Sequence, residues 1–167
     1  SLARKLVFDV LGLKIDGDDP LATGGATYAG TDGNTYFGIS NYVQGPGTVF
    51  PVSGLTVQNS IITNTFMGIR LNGGAASTGN TITRNWFDAI GNFDFGYAVS
   101  LRFHFYADVT NNLMTRCLSG VHTSVHSLAG PAVWSITGNE IHSYGAGICS
   151  WGIDTGAATG ATITGNQ

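Results

Sequence analysis

One short pattern returns five times between Val57 and Gln167, and it constrains the fold more than any single residue does. It reads apolar, two polar residues, usually Asn, any residue, apolar. The copies start at Val57-Gln58-Asn59-Ser60-Ile61-Ile62 and Ile82-Thr83-Arg84-Asn85-Trp86-Phe87, followed by Val109-Thr110-Asn111-Asn112-Leu113-Met114. Ile136-Thr137-Gly138-Asn139-Glu140-Ile141 and Ile163-Thr164-Gly165-Asn166-Gln167 complete the set. Subtracting successive first positions (82−57, 109−82, 136−109, 163−136) gives 25, 27, 27 and 27. A near-constant period in this range marks a stacked repeat, in which each unit buries its apolar face only against its neighbours.

A second unit, small-apolar-polar, is interleaved with the first: Gly68-Ile69-Arg70-Leu71, Ala98-Val99-Ser100-Leu101, Gly120-Val121-His122-Thr123 and Gly147-Ile148-Cys149-Ser150. In three coils the Gly follows the start of the Asn motif by 11 positions (68−57, 120−109, 147−136), and in the other the small residue lags by 16 (98−82). Constant strands with variable connectors describe a solenoid, and the extra residues lie between Phe87 and Ala98.

Composition narrows the partners. Only 10% of residues are charged against 43% hydrophobic, and Gly reaches 25 of 167, which excludes a disordered charged tail. A net charge of −3 with no Lys/Arg run argues against nucleic acid. No apolar stretch approaches the ~20 residues of a membrane span, and no signal peptide is visible in the opening Ser1-Leu2-Ala3-Arg4-Lys5, which lacks an apolar core of the expected length. The chain lacks an initiator Met and stops inside a motif copy, as expected of a piece of something longer. Cys117 and Cys149 are placed about five strand positions apart on neighbouring coils, beyond disulfide reach, so two free thiols are expected, Cys117 packed and Cys149 pointing out.

Residues 1-53 read as irregular N-terminal coil and loops, and 54-167 as regular coils of the same domain. Val7–Leu11 and Leu13–Gly17 are predicted strands, with Ile15 taking the place of Val57. Tyr36-Phe37-Gly38-Ile39-Ser40 matches Phe66-Met67-Gly68-Ile69-Arg70, and the residues from Asp18 to Thr35 read as an inserted loop, as does Asn41 to Pro51. A short helix over Leu2–Val7 is compatible with a cap on the first coil.

About five coils of three short strands are expected. The Gly-Ile-x-Leu strand comes first, then a variable loop, the Ile-Thr-x strand, an Asn corner, and a short x-apolar strand. Alternation puts Ile69, Leu71, Val99, Leu101, Val121, Ile148, Ile82, Val109, Ile136 and Ile163 inside. Asn suits a tight corner because it tolerates left-handed dihedrals, and stacked amides hydrogen-bond along the column. Asn85, Asn112, Asn139 and Asn166 are the expected ladder, with Ser60 as a weaker first rung.

The succession Gly-Ile-x-Leu, variable loop, Ile-Thr-x-Asn-x-apolar resembles the right-handed parallel β-helix of the pectate-lyase-like superfamily, well over Gly38 to Gln167 and loosely before that. The resemblance implies an all-β fold and an extracellular or cell-surface setting. It is nearly silent on activity, because that superfamily hosts lyases, hydrolases, epimerases, tailspikes and adhesins. It also implies a substrate groove along the first sheet. Two outward columns then matter: Ser40, Arg70, Ser100, His122, Cys149, and Tyr42, Asn72, Arg102, Ser124, Trp151.

Arg70, Arg102 and His122 are suited to neutralising the carboxylates of a uronic acid chain, and Tyr42 and Trp151 to stacking on sugar rings. The alternative is that these are ordinary solvated polar residues. Catalytic candidates are Asp88 and Asp94, on a loop overhanging the groove with Phe93, Phe95 and Tyr97, together with His122 and Arg102. A glycoside hydrolase needs two carboxylates roughly 5–9.5 Å apart. A lyase base would have to be Arg or His, since no Lys follows Lys14. No metal is expected at His122 and His126, and His104 and His142 read as locally bonded surface residues. Asp16-Gly17-Asp18-Asp19 offers oxygen ligands for calcium but lacks the full spacing of a binding loop, and a polar turn is the competing reading. Two functions from different classes remain: contact with polysaccharide along the first sheet, or a structural, adhesive solenoid that joins neighbouring β-helix segments.

Overall fold

The computed structural model describes residues 9–18, 35–41, 52–73, 77–91, 96–102, 106–125, 134–152 and 162–167, with the backbone alone for Val125 and residues 149–152. Every regular element among them is a strand. In chain order these are β1 (Asp9–Leu11), β2 (Lys14–Asp16), β3 (Thr35–Ser40), β4 (Thr56–Gln58), β5 (Ile61–Thr63), β6 (Thr65–Asn72), β7 (Asn80–Thr83) and β8 (Trp86–Asp88). They continue as β9 (Tyr97–Arg102), β10 (Ala107–Thr110), β11 (Leu113–Cys117), β12 (Val121–Val125), β13 (Ser135–Thr137), β14 (Glu140–Ser143), β15 (Ile148–Gly152) and β16 (Thr162–Thr164).

Every third strand joins the same sheet, and all pairings are parallel. Sheet 1 is β3-β6-β9-β12-β15, sheet 2 is β1-β4-β7-β10-β13-β16, and sheet 3 is β2-β5-β8-β11-β14. The chain is a parallel β-solenoid. No helix of the described residues is long and apolar enough to cross a membrane.

Register follows the sequence period. Val57, Ile82, Val109, Ile136 and Ile163 stand opposite one another in sheet 2, while Ile62, Phe87, Met114 and Ile141 do so in sheet 3. Ile69, Val99, Val121 and Ile148 make the matching column of sheet 1. These columns meet in one core in which Val57, Ile62, Ile69, Ile82, Phe87, Val99, Leu101, Val109 and Val121 are fully buried. Burying each such side chain contributes about 1.5–3 kcal/mol. At the end of the stack Ile148 is half-buried but packs against this core as expected, and one expected core position is corrected: Ile163 is 52% exposed. Ile163 lies on β16, which pairs with β13 on one side only.

The first coil also enters differently from expectation. Val10, not Ile15, stands opposite Val57, and Ile15 pairs with Ile62 one sheet further on. The reason is Gly12, whose φ of 64° makes the corner that Asn59 makes at 52° in the next coil. Val10-Leu11-Gly12-Leu13-Lys14-Ile15 is therefore a degenerate copy of the motif, with Leu13 at the Asn position.

The corner chemistry divides between two residues rather than resting on one Asn. Left-handed φ falls one residue before the ladder position, at Asn59, Arg84, Asn111, Gly138 and Gly165. The ladder residue itself turns its amide inward. Asn85 Oδ1 accepts from the Ser60 N–H, Asn112 Oδ1 from Asn85 N–H, Asn139 Oδ1 from Asn112 N–H and Asn166 Oδ1 from Asn139 N–H, each at 3.0 Å. The Nδ2 groups of Asn85, Asn112 and Asn139 donate to the next Oδ1 at 2.9–3.0 Å. The same groups reach back to the carbonyls of Val57, Ile82 and Val109. Below them the Ser60 hydroxyl receives the Leu13 N–H at 3.3 Å. Asn80 does similar work at the other end of sheet 2, accepting from Leu55 N–H and donating to the Tyr106 carbonyl.

A second left-handed corner, at Asn64, Ala89 and Arg116, links sheet 3 to sheet 1. At Gly38, Gly68 and Gly120 the small residue of the sheet 1 unit has a steric cause, whereas a Cβ on Gly147 would meet nothing. A Cβ on Gly68 would lie 2.5 Å from the Ala98 carbonyl oxygen and 2.7 Å from the Phe87 ring.

Cys117 is buried and free, and burial pushes its thiol up to about 12. It ends β11 in sheet 3, whereas Cys149 belongs to β15 in sheet 1, so the two do not share a strand pair as expected. The inserted loops expected at Asp18–Thr35 and Asn41–Pro51, and the helix at Leu2–Val7, fall almost wholly outside the described residues.

Asn112→Ala leaves the Asn85 N–H and the Ile82 carbonyl without their partner in the dry corner, and should cost about 2–4 kcal/mol in a urea melt. Gly68→Ala must displace a neighbouring strand, and a loss of about 1–3 kcal/mol is expected in the same measurement.

Candidate functional site

The outer face of sheet 1 carries the residues that sequence periodicity singles out. Register places Ser40 beside Arg70, Arg70 beside Ser100, Ser100 beside His122 and His122 beside Cys149. In the parallel column Asn72 stands beside Arg102 and Ser124 beside Trp151. Alternation along each strand produces both columns, because Ile69, Leu71, Val99 and Leu101 occupy the inward positions between them. Tyr42, Asp94, Phe93, Phe95, His104 and His126 lie outside the described residues, as does the side chain of Trp151.

Five of the described members of these columns are not the solvated polar surface that the sequence offers as the alternative. Asn72 and Ser100 are fully buried, His122 is 4% exposed, and Arg70 and Ser124 are 8% exposed. Arg102 is half-buried and Ser40 is exposed. The site is a sequestered polar strip on the outside of the coil.

Its interior is partly organised. Ser100 Oγ and His122 Nδ1 lie 3.1 Å apart, and the Tyr97 ring stacks on the imidazole at 4.5 Å with a 25° interplanar angle. The Arg70 guanidinium sits 5.3 Å from the Phe37 ring centroid, a cation–π distance. Asn41 clamps the backbone of Asn72, donating to its carbonyl at 2.7 Å and accepting its N–H at 2.8 Å. Two side chains are left open. Among the described residues neither Oδ1 nor Nδ2 of Asn72 has a hydrogen-bond partner, and neither does Ser124 Oγ.

The electrostatics are positive. Burial, then the charges of Arg102 and Arg70, lower the His122 pKa to about 4, so the imidazole is neutral at pH 7. A neutral imidazole in hydrogen-bond contact with a hydroxyl can hold or receive a proton. Neither outward column of sheet 1 contains a carboxylate.

Asp88 does not belong to this face. It is the last residue of β8 in sheet 3 rather than part of a loop over the groove. Arg116 Nε donates to its Oδ1 at 2.8 Å, and the guanidinium makes a second, short contact with Oδ2. Desolvation pushes this carboxyl upward, but the Arg116 and Thr115 hydrogen bonds outweigh it and hold the pKa below the usual carboxylate value.

The Asp16 carboxylate is similarly engaged. Asn64 Nδ2 donates to it at 2.8 Å, Lys14 pairs with it at 3.1 Å, and the Asp18 N–H turns back onto it. His142 is exposed and lies 2.7 Å from Glu140. Among the described residues no group of three His, Cys, Asp or Glu converges as a metal site.

Sequence reasoning did not reveal the burial of the strip, the Tyr97–His122 stack or the unpartnered Asn72 amide. The 30-position step from Asn72 to Arg102 (102−72) signals only their shared register, and nothing in the sequence signals the open amide. No family model matches the chain, and no curated protein or solved structure matches it.

The depressed His122 pKa gives a signed prediction. The unfolded chain binds a proton near pH 6.5, and the folded chain does so only near 4. This residue's contribution to stability is complete above about pH 6.5 and lost as pH falls from there to 4. Urea melts from pH 7 to 4 should show that loss, and His122→Gln should flatten it; NMR titration should place the His122 midpoint near 4.

Proposed function

We propose that this chain is a β-helix module that contacts polysaccharide along the outer face of sheet 1, in an extracellular or cell-surface setting. The pectate-lyase-like resemblance and the parallel solenoid motivate the reading. The observation that carries it is the fully buried Asn72 side chain, unpartnered among the described residues and in register with Arg102.

An unsatisfied buried amide costs about 1–3 kcal/mol, and a ligand that supplies its partners recovers that cost. An amide offers two donors and an acceptor, which suits adjacent sugar hydroxyls that both donate and accept. Arg70 and Arg102, on neighbouring coils beside the neutral His122, favour a chain bearing carboxylates. Ser100 and His122 supply proton-holding groups in the same strip, so binding is the part of the reading that the geometry supports, and catalysis is left undecided.

The second reading is a structural or adhesive solenoid. Leu11 and Leu13 at 51% exposure and Tyr36 at 49% put apolar surface on the first described coil, which suits contact with a neighbouring β-helix segment.

A glycan array tests both. Binding to uronate-containing polysaccharide should weaken by at least about tenfold in Asn72→Ala and in Arg102→Ala, with melting unchanged for the half-buried Arg102. No binding by the parent chain, or binding that both variants retain, overturns the reading. Filaments seen by electron microscopy would then favour the structural one.

A further inference from the structure

The outer face of sheet 3 is built differently from the strip on sheet 1. Its register gives one outward column, Lys14, Ile61, Trp86, Leu113 and Glu140. The next outward column is Asp16, Thr63, Asp88, Thr115 and His142. Ile61 and Leu113 are half-buried and Trp86 is 42% exposed, which makes an apolar stripe three coils long. A groove of about 500 Å³ runs along it, lined also by Asn59, Arg84 and Asn111 at the left-handed corner.

Trp86 is held rather than loose. Its indole N–H donates to Thr115 Oγ1 at 2.8 Å, and that hydroxyl donates to Asp88 Oδ1 at 2.8 Å. With its one donor used, the ring offers only apolar surface to a partner.

The charges at the two ends of the stripe are opposite. Lys14 is paired with Asp16 at one end, and Glu140 with His142 at the other, with side chains 37–64% exposed. The stripe therefore reads plus, apolar, Trp86, apolar, minus, and Trp86 is its midpoint.

We propose that this face is a two-fold interface between two copies of this chain. A two-fold axis through Trp86, parallel to the strands, reverses the stack while keeping each column on itself. Lys14 then meets Glu140 of the other copy, Ile61 meets Leu113, and the two Trp86 rings meet on the axis. In the next column Asp16 meets His142. Lys14 and Glu140 stand four rungs apart, about 19 Å along the stack, so both charged contacts form at once.

Such isologous pairing is the commonest form of oligomer, because one patch serves both sides. An apolar centre with Trp and Arg, ringed by polar groups, has the composition of binding hot spots. Asp88 would face its own copy, but it is 7% exposed and its charge is held by Arg116.

Sedimentation equilibrium over a concentration series tests this on the 167-residue chain. The parent chain should be a dimer, and Trp86→Asp should weaken association by at least about tenfold while far-UV circular dichroism stays unchanged. Lys14→Glu alone should weaken it as well, and Lys14→Glu with Glu140→Lys should restore it. Asn72→Ala and Arg102→Ala should dimerise normally, which separates this surface from the sheet 1 strip. A monomer at every soluble concentration overturns the proposal, as does a dimer indifferent to Trp86→Asp or a double charge swap that fails to restore association. Saturable quenching of tryptophan fluorescence by cellohexaose in a monomeric chain, lost in Trp86→Phe, would overturn it in favour of a sugar site.

Discussion

Each coil must present an inward amide at the same corner as the coil before it. That constraint governs the whole structure. The corner N–H of one coil has no partner within its own turn, and it is satisfied by Oδ1 of the Asn in the next coil, from Ser60 through Asn139. The partner lies 25 or 27 residues away in these coils and 47 away at the Leu13–Ser60 rung, so the ladder fixes which residues stack and not how much chain loops out between them. Insertions are confined to the other connections. The same register brings Ile82 over Val57 and Phe87 over Ile62, so satisfying the amides and stacking the aliphatics are one requirement.

A tube built this way has three outward faces, and the chain treats two of them differently. Sheet 1 carries a polar strip that is nevertheless buried, with the neutral His122 between positive neighbours and the Asn72 amide open. Sheet 3 carries an exposed apolar stripe capped by opposite charges, with Trp86 locked by Thr115 and Asp88. Neither face is needed to close the core. Burying polar groups at one and exposing a Trp at the other both work against solubility and stability, which is the pattern expected where binding offsets the cost.

Much of this was legible in the sequence because a β-solenoid writes its register directly into its period. The spacing of 27 places Asn112 over Asn85, and alternation separates Ile69 and Leu71 from Arg70 and Asn72. What the period cannot carry is the local division of labour at a corner. Arg84 and Asn111 take the left-handed φ, while Asn85 and Asn112 take the hydrogen bonds, and both roles suit the same residue types. The first coil is hidden for a related reason: Gly12 and Leu13 stand where Asn59 and Ser60 stand above, so the motif lacks its polar signature while keeping its geometry. Burial of Arg70 and His122 was hidden too, since periodicity tells which way a side chain points and not what lies over it. Asp88 reads as a loop residue because the spacing shows only that extra residues lie between Phe87 and Ala98, whereas Asp88 pairs with Thr63 and Thr115 and Ala89 makes the same left-handed corner as Asn64 and Arg116.

Native-state hydrogen exchange on the backbone amides of Asn85, Asn112 and Asn139 tests the central claim most directly. These N–H groups donate to a side chain in the next coil rather than to a strand. If the coils are held together by the ladder, the three exchange only through global unfolding, with the same free energy as Ile82 and Val109 in the core strands. Exchange at the rate of freely exposed amides, while the core strands stay protected, would contradict it.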